Sequence, residues 1–212
     1  MLDILYEDNH IIVAYKPKGI LSQADGSNKQ DMLTILKEYI KEKYNKPGNV
    51  YLGLVHRLDM NTSGVMVFAR TSKAAARLSE QIKNNELRKK YIATVEGILN
   101  NQDYITLENY ITKNEALKKA SITSDGQFSK LEYKAINSYS INGVDVTDVD
   151  IILHTGRFHQ IRCQMANINH PLFGDTKYGS RNLIDKEQFP LDAYYLSFKH
   201  PTTKEILEFK KK

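Results

Sequence analysis

Strand-type segments follow one another along this chain, with only three helical runs among them, and the two kinds never settle into a strand–helix–strand rhythm. That order argues against a doubly wound parallel sheet. It predicts an α+β fold with a mixed, mostly antiparallel central sheet flanked by helices and loops. Residues 2–7 and 10–16 read as strands around an Asp8-Asn9 turn, and Lys16-Pro17-Lys18-Gly19 then breaks the pattern. Residues 64–69, 89–96, 193–199 and 205–209 read as strands, with further ones over 104–111, 121–124 and 129–139. Residues 148–153 alternate strictly, with Val149, Ile151 and Leu153 on one face.

Three stretches carry helical spacing. Over 32–43, Met32, Ile35, Leu36, Tyr39, Ile40 and Lys43 recur at one face, and Asp31 is placed to cap it. A second helix is expected from a Ser72 cap to about residue 84, with Ala75, Leu78 and Ile82 inward. A third is expected over 158–168, with Ile161, Met165 and Ile168 inward, ended by Asn169-His170-Pro171. No linker and no repeat interrupts the 212 residues, so residues 1–212 are expected to form a single domain, with two lobes around a central cleft.

Composition narrows the chemistry. Apolar residues make up 41%, enough for a sizeable core, and the formal charge of +5 suits an anionic partner. The lone cysteine, Cys163, excludes an intrachain disulfide and a thiolate zinc cluster, suits a reducing compartment, and is expected to be packed rather than reactive. The acidic start and the absence of a long apolar run argue against a secretory signal or a membrane span and for a cytoplasmic protein. Phosphate-loop, dinucleotide, zinc-protease and serine-hydrolase motifs are all missing.

Three segments stand out. Val55-His56-Arg57-Leu58-Asp59-Met60-Asn61-Thr62-Ser63-Gly64 is a dense polar loop before a buried strand. Asp59, Thr62 and Ser63 there fit simple turn-capping as well as they fit a reactive carboxylate flanked by His56 and Arg57. His154-Thr155-Gly156-Arg157-Phe158-His159-Gln160-Ile161-Arg162 turns at Gly156 into a helix start, a place that favours anions, and it equally fits a solvated basic helix end. Its two histidines, five apart, are poor metal ligands; a hydrolase site of His154, His159 and Asp175 is the weakest reading, and no metal is expected. Lys89-Lys90-Tyr91 opens a strand in which Tyr91 shares a face with Ala93 and Val95, as a core tyrosine would or as a ring stacking on a base.

In this order the three segments resemble the RluA family of pseudouridine synthases. The likeness extends to His170-Pro171-Leu172-Phe173-Gly174-Asp175, Tyr178-Gly179, Asn9 to Leu21, and Leu196 to Pro201, and so spans nearly the whole chain. It implies the pseudouridine synthase fold and isomerisation of a uridine in ribosomal or transfer RNA, with no cofactor and a monomeric enzyme. Asp59 would be the essential carboxylate, attacking C1′ or C6 or removing the C2′ proton. Tyr91 would stack on the uracil, and Arg162 would be the cation that keeps Asp59 ionised. Arg57, His56, Thr62, Lys90, Arg157 and His159 would contact the RNA around a flipped uridine, with Lys16, Lys18, Lys89 and the tail Lys210 to Lys212 as further phosphate contacts. Two departures affect only the choice of target. The pattern begins at about Leu2, without the small RNA-binding module many relatives carry, and Leu21-Ser22-Gln23-Ala24-Asp25 replaces the usual Val-His-Pro. The rival reading is a non-catalytic RNA-binding or RNA-folding protein on the same fold; the intact Asp59, Tyr91 and Arg162 argue against it.

Overall fold

The computed structural model describes residues 2–211; Lys212, the last lysine of the basic tail, and Met1 lie outside them. Eleven strands and three α-helices are found among these residues, arranged in two compact units. The first unit runs to Leu87 and resumes at Tyr194, and the second is Arg88–Ala193.

The first unit opens with β1 (Asp3–Glu7) and β2 (Ile11–Lys16), paired antiparallel. Their turn forms because the Asp8 carboxylate accepts from the backbone N–H groups of His10 and Ile11 at 2.7 and 2.8 Å. Helix α1 (Met32–Lys43) is capped by Asp31, which accepts from Thr34 N–H, and buries Met32, Leu36 and Ile40. β3 (Gly53–Leu54) pairs with the far end of β4 (Ser63–Ala69), which also runs antiparallel to β2. β2 and β4 are apolar on both faces because both are covered: Ile11, Val13, Val65, Val67 and Ala69 form one core with Ala74, Leu78, Leu87, Leu196 and Phe198.

Helix α2 spans Ser72–Lys83. Its cap is Thr71, not Ser72: the cap position needs extended backbone, which Thr71 holds while accepting from Ala74 N–H at 3.1 Å. The buried stripe is accordingly Ala74, Leu78 and Gln81, with Ala75 and Ile82 at its margin. β10 (Leu191–Lys199) pairs antiparallel with β11 (Ile206–Lys210).

The second unit is an antiparallel sheet in the order β5-β9-β8-β6-β7. Its strands are β5 (Arg88–Glu96), β6 (Ile105–Asn114), β7 (Lys119–Ile122), β8 (Gln127–Ile141) and β9 (Val144–Leu153). β8 and β9 run longer than local composition predicts because Asn142 and Gly143, both at positive φ, close a two-residue hairpin between Ile141 and Val144. Helix α3 (Gln160–Asn167) starts two residues later than expected. His159 sits in the left-handed region at φ 49°, so Phe158 and His159 belong to the approach and not to the helix.

Candidate active site

The loop from Val55 to Thr62 joins β3 to β4 and has no regular structure of its own; its position is set by contacts from the chain ahead of α1. The Ser22 hydroxyl grips Leu58 twice, donating to its carbonyl at 2.8 Å and accepting from its N–H at 3.0 Å. Gly19 N–H donates to the Met60 carbonyl at 2.9 Å, and Thr62 N–H closes a turn onto the Asp59 carbonyl at 3.0 Å. Val67 N–H donates to His56 Nε2 at 3.1 Å, which makes that nitrogen an acceptor and the ring a strut of the loop. Asp59 is half-buried, Arg57 is exposed, and Thr62 is buried. Two buried oxygens in this loop, Asn61 Oδ1 and Thr62 Oγ1, have no hydrogen-bond partner among the described residues.

Lys16 is the cation that underlies this loop. It is 0% exposed, and its ammonium donates to three carbonyls, Pro17 at 3.0 Å, Ile20 at 2.7 Å and Met60 at 3.0 Å. Burial pulls its pKa down to about 8, against the opposing attraction of the Asp59 carboxylate. The expectation of Lys16 as a phosphate contact is therefore overturned, since all three donors are turned inward to backbone. Its role in the site was missed, although a lysine closing a strand that is buried on both faces was the available signal.

In the second unit, Tyr91 is 5% exposed and lies opposite Ile151 on β9, on the buried face with Ala93 and Val95. Strand alternation sends Lys90 to the other face and keeps Lys89 on the face of Tyr91. Arg162 projects from the first turn of α3 and is held by Asp175, which is 3% exposed, through a two-pronged pair: Nε to Oδ2 at 2.6 Å and Nη2 to Oδ1 at 2.8 Å. The guanidinium also lies over the rings of Tyr178 and Phe189, at 4.9 and 5.4 Å. Asp175 was outside the reading of Arg162 because the partners lie 13 residues apart, beyond one helix.

The approach to α3 is held from below by Gln160, whose amide oxygen accepts from the Thr155 hydroxyl and from Arg157 N–H, at 2.8 and 3.1 Å. Arg157 remains exposed, with Nε on the Phe128 carbonyl at 2.9 Å. The His159 ring stacks on Phe158 at 3.8 Å, and its Nδ1 lies 2.9 Å from the Tyr178 hydroxyl. That hydroxyl already accepts from Ala120 N–H, so its proton goes to His159. Burial, with Arg162, Lys177 and Lys113 nearby, pushes the His159 pKa down to about 3, so the ring is neutral in the free protein.

Cys163 is buried, and burial raises its thiol pKa, in keeping with a packed residue. No cluster of His, Cys, Asp and Glu suited to a metal ion is found among the described residues. His154 is paired with Glu132, His159 with Tyr178 and Asp175 with Arg162, three separate contacts.

The fold is that of the RNA pseudouridylate synthase domains. Two human structures, RNA Pseudouridylate Synthase Domain Containing 1 and Domain Containing 4, match 100% and 99% of this chain with TM-scores of 0.74 and 0.76, at 24% and 21% identity. They cover 83% and 88% of those chains and speak for the fold alone. A family model described as RNA pseudouridylate synthase matches residues 10–167. The chain is 34% identical over 210 residues to the uncharacterized RNA pseudouridine synthase YlyB of Bacillus subtilis, covering 98% of this chain and 68% of the relative. It is 32% identical over 224 residues to the ribosomal large subunit pseudouridine synthase D of Vibrio cholerae, covering 98% and 66%. The chain belongs to the RNA pseudouridine synthase family, in its RluA branch, and is a pseudouridine synthase acting on RNA. No helix of the described residues is long and apolar enough to cross a membrane.

Proposed function

We propose that this enzyme isomerises a uridine of ribosomal RNA with Asp59 as its reacting carboxylate. The observation that carries the reading is the Lys16–Asp59 arrangement: a fully buried ammonium joins the Met60 carbonyl of the Asp59 loop to the Pro17 and Ile20 carbonyls of its own segment and attracts the Asp59 charge. A loop fixed by a buried lysine and by both hydrogen bonds of Ser22 suits a carboxylate that must be preorganised. By resemblance, Tyr91 stacks on the target uracil, and Arg162, oriented by Asp175, supplies the counter-charge. The target uridine leaves its stack, at a cost of a few kcal/mol that is smallest in loops and bulges. Arg57 and Arg157, both exposed, contact the RNA backbone. Thr62 Oγ1 supplies a buried hydroxyl for a polar group of the nucleotide.

Ribosomal RNA is favoured over transfer RNA because three similar relatives, from two Buchnera aphidicola strains and Vibrio cholerae, are named ribosomal large subunit pseudouridine synthases. The test is pseudouridine mapping on unmodified total RNA with the native protein and with Asp59→Asn. New pseudouridines confined to ribosomal RNA and absent with the variant are expected. Sites that persist with Asp59→Asn would remove Asp59 from the chemistry, and sites confined to transfer RNA would replace the substrate.

A further inference from the structure

The protein buries part or all of two lysines near its candidate site residues, and it treats them differently. The Lys16 ammonium is satisfied by three carbonyls. Lys89 has no carboxylate and no hydrogen-bond acceptor paired with it among the described residues. Its side chain is half-buried on the face of β5 that carries Tyr91, and its strand partner is Leu153, which is itself buried. The Nζ ends over the loop before α3: a methyl group added at Gly156 would lie 3.5 Å from it. Burial alone holds its pKa below the ordinary lysine range, with no neighbouring carboxylate acting against it.

A largely desolvated cation without a partner is unfavourable in the free protein. An ammonium two residues along the strand from Tyr91, on the same face and over Gly156, the residue before the exposed Arg157, is placed for an anion that arrives with the substrate. We infer that Lys89 binds a backbone phosphate of the substrate RNA adjoining the nucleotide that Tyr91 contacts. The inference rests on the reading of Tyr91 as the residue facing the target nucleotide, and it assigns this phosphate to Lys89 instead of Lys90, which points to the opposite face.

The experiment measures binding of an unmodified ribosomal RNA transcript over a series of salt concentrations. The proteins compared are the native enzyme, Lys89→Met, Lys89→Arg and Lys134→Met. Lys134 lies on the opposite face of the same sheet, over the Tyr104 ring, and controls for the loss of one positive charge. Lys89→Met is expected to weaken binding about tenfold, the worth of one charged hydrogen bond, and to lower the slope of log affinity against log salt by about 0.7. Lys89→Arg is expected to restore the slope, and Lys134→Met to leave it unchanged. Lys89→Met should melt no lower than the native protein, because it removes an unpartnered charge; Lys89→Gln replaces it if the methionine variant does not fold. A native slope in Lys89→Met, or in Lys89→Gln where that stands in for it, or an equal loss in Lys134→Met, overturns the inference. Failure of the Tyr91 reading shows separately, as pseudouridine formation that survives Tyr91→Ala.

Discussion

Replacing Lys16 by methionine tests whether the buried ammonium is an electrostatic element of the Asp59 loop or mere filling. At neutral pH two effects oppose each other. Three carbonyls lose their donor, at about 1 kcal/mol or more each. The burial of a charge is relieved, and with the pKa moved from 10.5 to about 8 that relief is worth about 3 kcal/mol. A stability comparison at pH 7 alone therefore comes out near zero and decides little. The pH dependence separates the two terms. Because the folded value lies below the unfolded one, the unfolded chain holds the extra proton between pH 8 and 10.5, and stability rises with pH across that window. The native protein should gain about 2 to 3 kcal/mol over Lys16→Met between pH 7 and pH 10. Lys89, also lowered, acts in the same direction in both proteins and cancels. The chain has no tryptophan, so urea unfolding is best followed by far-ultraviolet circular dichroism at each pH. A stability difference that stays flat from pH 7 to pH 10 would refute the reasoning.

Asp175→Ala removes the carboxylate that accepts two hydrogen bonds from the Arg162 guanidinium, whose side chain is 14% exposed, and is expected to cost about 3 kcal/mol, a fall of roughly 6–12 °C in melting temperature. Adding Arg162→Met should recover part of that loss, and no recovery would show that the pair is not what Asp175 stabilises. Gly126→Ala places a methyl group 2.5 Å from the Ile111 backbone, which has no side chain to move aside, so a loss of about 1–3 kcal/mol is expected by urea unfolding. Tyr178→Phe removes the acceptor of Ala120 N–H and the donor to His159 and should cost about 1–3 kcal/mol by the same measurement.

Signals carried by a few neighbouring residues were legible. Asp31 capping α1, the Asp8 turn, and the alternation of β5 and β9 follow from side chains that act on backbone within a few positions. Asn142-Gly143 was equally local and went unread, which left β8 and β9 short. Thr71 and Ser72 are both capping residues, and only the path of the chain leaving β4 chose between them. The start of α3 was misplaced because nothing local to His159 signals its left-handed backbone. That conformation is accompanied by a ring stack on Phe158 and a hydrogen bond to Tyr178, 19 residues away.

The sequence by itself determined the fold class, the family, through the resemblance that its ordered motifs carry, and the face shared by Tyr91, Ala93 and Val95. The fold class and that face follow from residue type, spacing and the two-residue period of a strand, all of which act along the chain. Only the tertiary structure decided what each charge is paired with. It buried Lys16 under Met60, 44 positions away, tied Arg162 to Asp175, and left Lys89 over Gly156 without a counter-charge. The state of a charged group depends on its neighbours in space and on how much water reaches it, and neither is a property of the residues beside it in the chain.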